Sequence, residues 1–278
     1  MTTKTRPERP LLPMLGIVLA AALAAEPGFT ADPSDAGTIT TIYRLDSYTA
    51  KPGKLDELHE WFAAHIDDVF GRHGAEALAC LVPADARPDD ENRFVFLARY
   101  PSQQALVEFS QEVSADPLWK PLDTSTDTPE RLVETVDTRL FTPTDYSPAF
   151  EPSRHDEPRI FELRTYTCPG PEKMQELHER FRRHTMKLFA KHGMENLVYW
   201  HPLVWGPRPS DTKTRRLAYL LGHKSREAAQ ASFAAFRSDP EWLHAKQASE
   251  DRAGGSLTSA EGGVVSEFFI PTKYSPLR

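Results

Sequence analysis

The sequence predicts an α+β protein in which one β-α-β-β-α-β unit is written twice and the two copies close sheet to sheet within the chain. Three observations predict it. First, Tyr43-Arg44-Leu45-Asp46-Ser47-Tyr48 returns as Phe161-Glu162-Leu163-Arg164-Thr165-Tyr166. Second, the helical series Leu58, His59, Phe62, His65, Phe70, His73-Gly74 returns as Leu177, His178, Phe181, His184, Phe189, His192-Gly193. Third, the strands are apolar in both parities, as strands buried on both faces are. A repeat unit of this length is far longer than a solenoid unit, so each copy can hold its own core.

The elements follow in order. Residues 39–48 read as a strand, and Pro52-Gly53 breaks it. Leu55, Leu58, Phe62, Ile66 and Val69 recur at helical spacing up to about residue 73, and Gly74 stops the helix. A short strand over 77–82 and a polar loop from Pro83 to Asn92 precede a third strand, 93–99. Ser102 can cap a helix over 103–113. Asp116-Pro117-Leu118-Trp119 opens a further short turn, and a fourth strand spans 131–141. The second copy repeats this order. Strand 160–167 leads to helix 172–192, strand 196–201, loop 202–215 and strand 216–223. A helix capped by Ser225, the motif Asp239-Pro240-Glu241-Trp242 and a last strand over 264–270 complete it. Matching tails close the copies, Pro143-Thr144-Asp145-Tyr146-Ser147-Pro148 and Pro271-Thr272-Lys273-Tyr274-Ser275-Pro276. The domain plan is therefore leader 1–31, repeat one 39–148, linker 149–158 and repeat two 159–276. Each repeat is a ferredoxin-like split βαβ unit with helices on one sheet face, so the bare faces must cover each other in an α+β barrel.

Composition narrows the function. Hydrophobic residues at 40% and charged residues at 26% fit a globular chain. A net charge of -7 argues against nucleic acid and anionic membranes as partners. Lys4, Arg6 and Arg9 precede an apolar run, Leu11 to Ala25, whose Ala22-Leu23-Ala24 offers a small-residue cleavage site, with a weaker one at Phe29-Thr30-Ala31. This reads as an export signal, giving a periplasmic or secreted protein with no membrane span once the signal is removed. The two cysteines, Cys80 and Cys168, occupy non-equivalent positions and read as solitary buried thiols. No Gly-rich phosphate loop, G-x-S-x-G, H-E-x-x-H or C-x-x-C is present, and no metal ligand set is expected.

Repeat two resembles the NIPSNAP family over nearly its full length. The resemblance is carried by Phe161 to Tyr166, Pro169-Gly170, His184-Thr185, Lys191-His192-Gly193, Tyr199-Trp200, Tyr219 to Ser225, Asp239 to Trp242 and the closing Pro271 to Pro276. Repeat one resembles it more weakly. The resemblance implies the dimeric α+β barrel fold, whose relatives include small-molecule monooxygenases, isomerases and haem-binding enzymes. It implies no established reaction.

Candidate residues follow from comparing the copies. His184 falls in the apolar arc set by Leu177, Phe181 and Leu188, where an imidazole could act as a general base. Its counterpart His65 argues equally for a fold role. His73 and His192 suit helix C-termini, and His59 and His178 sit at the arc's margin, where they would snorkel. Glu162, Arg164 and Tyr166 share one strand face, opposite in charge order to Arg44, Asp46 and Tyr48. This inversion predicts Arg44–Glu162 and Asp46–Arg164 pairs between halves. Trp200, Tyr219 and His223 replace Leu81, Phe96 and Tyr100, giving repeat two more aromatics with polar tips. The expected site is a pocket of the second repeat, with His184 as candidate catalytic group and Arg164, Tyr166, Trp200, Tyr219 and His223 as candidate ligand-binding groups. Its ligand would be a small apolar or aromatic molecule, used in cofactor-independent oxygenation or isomerisation. The alternatives are a non-catalytic binding or assembly module, in keeping with a homo-oligomer, and a haem-binding protein. No cofactor is required by the sequence.

Overall fold

A computed structural model describes residues 41–85, 90–203 and 215–278. The leader, Ile39, and the middle of both polar loops lie outside those residues. Repeat one runs β1 (Ile42–Ala50), α1 (Leu55–Arg72), β2 (Glu76–Pro83), β3 (Arg93–Tyr100), α2 (Gln103–Glu112) and β4 (Val133–Pro143). Repeat two runs β5 (Ile160–Thr167), α3 (Pro171–Arg180), α4 (Met186–Lys191), β6 (Glu195–Pro202), β7 (Arg216–His223), α5 (Arg226–Ser238), α6 (Pro240–Arg252) and β8 (Val264–Pro271). The expected start and stop signals act as read. Ser102 and Ser225 accept from the backbone N–H three residues on. Gly74 and Gly193 adopt φ of +73° and +78°, and the next N–H bonds to the carbonyl of Phe70 or Phe189, closing a Schellman turn in each copy.

Two local differences separate the copies. The long helix of repeat one is a single run, whereas repeat two's is interrupted by a π-helical segment, Phe181–Thr185, between α3 and α4. After Asp116 the chain forms only a 3-10 turn, Pro117–Leu122, but after Asp239 it forms the 13-residue helix α6. Pro121 explains the contrast, because an interior proline removes a donor and clashes with the preceding turn.

The eight strands close into an antiparallel barrel in the order β1-β3-β2-β8-β5-β7-β6-β4. Within each repeat the first strand lies centrally, between the third and fourth. The repeats join at two short seams, β2 with β8 and β4 with β6. Alternation along each strand then sorts the side chains. Leu45, Val95, Leu97, Phe161, Leu163 and Leu220 fill the barrel. Tyr48, Phe94 and Phe96 face the helices of repeat one, and Tyr199, Tyr219 and Leu221 face those of repeat two. Closure buries the inner face of the sheet and the helices cover the outer one, which is why both parities are apolar.

The tails are exchanged. Tyr199 N–H donates to Ser147 Oγ and Thr144 N–H to the Tyr199 carbonyl, so repeat one's tail docks on β6. Reciprocally, Cys80 N–H donates to Ser275 Oγ and Thr272 N–H to the Cys80 carbonyl. Each tail tyrosine meets a helix histidine of the other repeat: Tyr274 Oη lies 2.6 Å from His59 Nδ1, and Tyr146 Oη 2.7 Å from His178 Nδ1. These histidines therefore do not snorkel; they hold the opposite tail. Leu277 and Phe150, the latter from the linker, both enter the barrel core.

Inside one mouth of the barrel, Arg139 and Glu267 approach to 3.6 Å, and Arg93 reaches Glu267 at 3.0 Å. Arg139 and Glu267 are equivalent positions, each paired with the same leucine of the first strand, Leu45 or Leu163. A charge pair does cross between the halves, but on these last strands. The expected Arg44–Glu162 and Asp46–Arg164 pairs do not form. Both sets lie on the helix-facing side of the wall, with the barrel between them. Each pairs within its own strand, Arg44 Nε with Asp46 at 2.8 Å and Arg164 Nη1 with Glu162 at 2.8 Å.

Candidate functional site

The outer face of β5 builds a buried polar cluster. Period-two alternation puts Glu162, Arg164 and Tyr166 in one row, and the register sets Ile160 beside His223 on β7 and Arg164 beside Ser266 on β8. Glu162 gathers three partners. Its Oε1 accepts from Arg164 Nη1 at 2.8 Å and from Ser266 Oγ at 2.5 Å, and its Oε2 lies 3.1 Å from His223 Nε2. Only 1% of either side chain, Glu162 or His223, reaches solvent. Burial alone would raise the Glu162 pKa, but the His223 bond, the Arg164 charge and the Ser266 bond outweigh it and hold the carboxyl below its ordinary value. Glu162 is thus an anion, and the geometry makes His223 Nε2–H its donor.

Aromatic rings enclose this cluster. The Arg164 guanidinium lies 4.5 Å from the Phe233 ring centre and 5.8 Å from that of Tyr166. Tyr219 is stacked on Tyr199, with centres 5.1 Å apart and planes at 23°, and touches Phe181 and Tyr166. Burial raises its phenol pKa well above the ordinary value, so Tyr219 stays neutral. Its hydroxyl and Arg164 Nε have no hydrogen-bond partner among the described residues.

Repeat one carries a different version. Asp46 binds Arg44, Tyr48 Oη at 3.3 Å and Thr138 Oγ1 at 2.5 Å. Tyr100 stands in the place of His223. The carboxylate–imidazole pair therefore belongs to repeat two alone.

The candidates do not all converge. Arg164, Tyr166, Tyr219 and His223 share the helix-facing layer. Trp200 faces the opposite way, into the barrel, stacked on Phe141 at 5.0 Å and beside Tyr43 at 5.4 Å. Adjacent residues of a strand point to opposite faces, which separates Trp200 from Tyr199. His184 is half-buried in the π segment, and its Nδ1 has no partner among the described residues. No hydrogen bond or ring contact links it to Arg164 or His223. Two clefts, of about 520 and 730 Å³, open beside Met194 and beside Arg99, and neither is lined by any of these residues.

Two further residues complete the layer. Ser266 carries no signal in the sequence. Arg180 is buried on α3, with its guanidinium 4.9 Å from the Trp242 ring centre. The repeat offset exposes it, since Arg180 stands where repeat one has Trp61. Cys80 and Cys168 are free buried thiols, as expected, and burial pushes Cys168 up to about 11. Among the described residues no group of His, Cys, Asp and Glu could hold a metal ion, and no helix is long and apolar enough to cross a membrane.

Solved structures share this architecture. A monooxygenase-like protein from Fusobacterium nucleatum matches with a TM-score of 0.51 and 12% identity, covering 84% of this chain and 93% of its own. Another, from Lactobacillus acidophilus, matches with a TM-score of 0.51 and 9% identity, covering 84% and 94%. At such identity the likeness is one of fold. A NIPSNAP family protein from Agrobacterium tumefaciens has 20% identity, covering 39% of this chain and 97% of its own, with a TM-score of 0.32. No curated protein matches the sequence. The NIPSNAP family model matches twice, over residues 43–148 and 161–276, which are the two halves of the barrel, and the chain therefore belongs to the NIPSNAP family as a tandem of two copies.

Proposed function

We propose that the protein binds a small aromatic molecule in the helix–sheet layer of the second repeat, next to Arg164 and Tyr166. The observation that carries this reading is the Glu162–His223 pair, which is buried in an aromatic layer and has no equivalent in repeat one. A fold alone needs neither group, and repeat one folds with a tyrosine at the equivalent position. Both copies bury a carboxylate–arginine pair, but only repeat two adds an imidazole to it. Burying a further polar group is costly, so the addition points to use.

The chemistry such a site supports is proton transfer. Glu162 fixes the His223 tautomer through Nε2, leaving Nδ1 as the basic atom. A base in an aromatic layer suits proton abstraction from a bound phenol or a carbon acid, as in cofactor-independent oxygenation or isomerisation. The barrel is shared with monooxygenase-like proteins, which is in keeping with this class. His184, in the π-helical segment between α3 and α4 and apart from the cluster, is a second candidate. Neither the cleft beside Met194 nor the one beside Arg99 is lined by a histidine that could serve a haem as axial ligand. With the N-terminal signal read from the sequence, the binding would take place outside the cytoplasm.

The test is a thermal-shift screen of small aromatic compounds. A hit should stabilise the wild type, and the shift should be lost in Arg164→Lys and His223→Phe. A second reading, a non-catalytic assembly module, draws on the close aromatic packing of the layer and on clefts that open elsewhere. It gains if no compound shifts the melting temperature.

A further inference from the structure

The same layer contains a buried positive charge whose one carboxylate partner among the described residues stands beyond hydrogen-bond distance. Arg180 is 7% exposed and lies over the Trp242 ring at the edge of the aromatic layer. Its Nη1 finds Ser249 Oγ at 3.3 Å, and the nearest carboxylate, Glu250, is 3.9 Å away. Its Nε is buried with no partner among the described residues. Burial lowers its pKa, and Tyr166, Glu250, Cys168 and Tyr219 oppose that only in part. Arg164 lies 5.8 Å from the ring centre of the same Tyr166, and its Nε too is buried without a partner among the described residues. The carboxylate beside Arg164, Glu162, is already shared with His223 and Ser266. Tyr219 Oη adds a third unpartnered donor, on a side chain with no solvent exposure.

Repeat one shows what the fold requires at these places. Trp61 replaces Arg180 and packs edge-on against Trp119, and Phe96 replaces Tyr219. An arginine and a tyrosine put into core positions that a tryptophan and a phenylalanine fill are a loss for stability. They are a gain only for a guest that accepts their protons.

We propose that the ligand of the second repeat is an aromatic carboxylate, held through its anionic group by Arg180 and Arg164, with Tyr219 as a further donor and Tyr166 and Trp242 flanking the ring. A carboxylate has the two oxygens and single negative charge that two guanidiniums and a phenol can satisfy. This rests on the reading that the layer binds a small molecule. It adds the charge of the ligand and gives Arg180 the part of an anchor.

The test compares benzoate and phenylacetate with their neutral amides, titrated against the full chain and followed by melting temperature and calorimetry. The carboxylates should stabilise the wild type and bind at least tenfold more tightly than the amides. Arg180→Met should melt higher than the wild type without ligand, since it removes a buried charge that Glu250 compensates only weakly, and should bind the carboxylates at least tenfold more weakly. Arg180→Trp, which restores the pairing of repeat one, is the second variant should methionine pack poorly. If acids and amides bind equally and Arg180→Met changes neither, the anion assignment is wrong while the small-molecule site stands. If no compound binds the wild type, both fall.

Discussion

Reversing the charge at Arg139 should unlock the two halves, and reversing Glu267 as well should restore much of the loss. The two residues are equivalents, so pairing of a repeat with a second copy of itself would oppose Arg139 to Arg139 or Glu267 to Glu267. Pairing within the chain opposes unlike charges. At 3.6 Å and an effective dielectric of about 20, the gross attraction is about 4 to 5 kcal/mol. Desolvation and side-chain entropy remove most of that, because the two side chains remain 31% and 24% exposed. Arg139→Glu replaces attraction by repulsion and should cost about 2 kcal/mol, or about 4 to 8 °C in melting temperature for a chain of this size. The Arg139→Glu/Glu267→Arg double variant should recover about half, limited by Arg93, which then faces a like charge at 267. The assay is a double-mutant cycle by urea denaturation, with light scattering to follow oligomeric state at low and high salt. Strictly additive effects, with no coupling between 139 and 267, would refute the reasoning.

Three other outcomes follow. Burial, His201 and Arg182 lower the His178 pKa to about 4, against about 6.5 when unfolded. The unfolded chain therefore takes up the proton first, and this contribution to stability, complete above pH 6.5, is lost as pH falls from 6.5 to 4. At most about 3 kcal/mol is at stake, so the melting temperature should drop across that window and drop less in His178→Gln; equal slopes would contradict it. Glu162→Leu should cost about 3 to 5 kcal/mol by stranding Arg164, whereas Glu162→Leu with Arg164→Met should be milder than Glu162→Leu alone; denaturant midpoints decide it. Truncation after Pro271 removes the buried Leu277, the Ser275–Cys80 bond and the His59 lock. It should cost about 3 kcal/mol or more, read as a lowered urea midpoint, although no residue of either sheet is deleted.

Comparing the copies shows what each kind of information supplies. Caps at Ser102 and Ser225, stops at Gly74 and Gly193, and the row Glu162, Arg164, Tyr166 are local events governed by neighbours a few residues away, so the sequence displays them. Local rules also explain the missed difference after Asp116 and Asp239, since Pro121 is visible in the sequence. The charge inversion between the first strands was legible too, but not its partners. Which face of a strand looks into the barrel is set by how the sheet closes, and closure put Arg44 and Glu162 on opposite outer sides.

The sequence by itself determined the duplication, the order of elements, the need for two bare sheet faces to meet, and the family. These depend on periodicity, turn chemistry and repeated order, all of which are one-dimensional. Only the tertiary structure decided that Trp200 and Arg164 lie on opposite faces of one wall, that the tails cross to the other repeat's histidines, and that Arg180 is buried beside Tyr166 and Tyr219. Each depends on distances between residues far apart in the chain, which packing fixes and spacing does not encode.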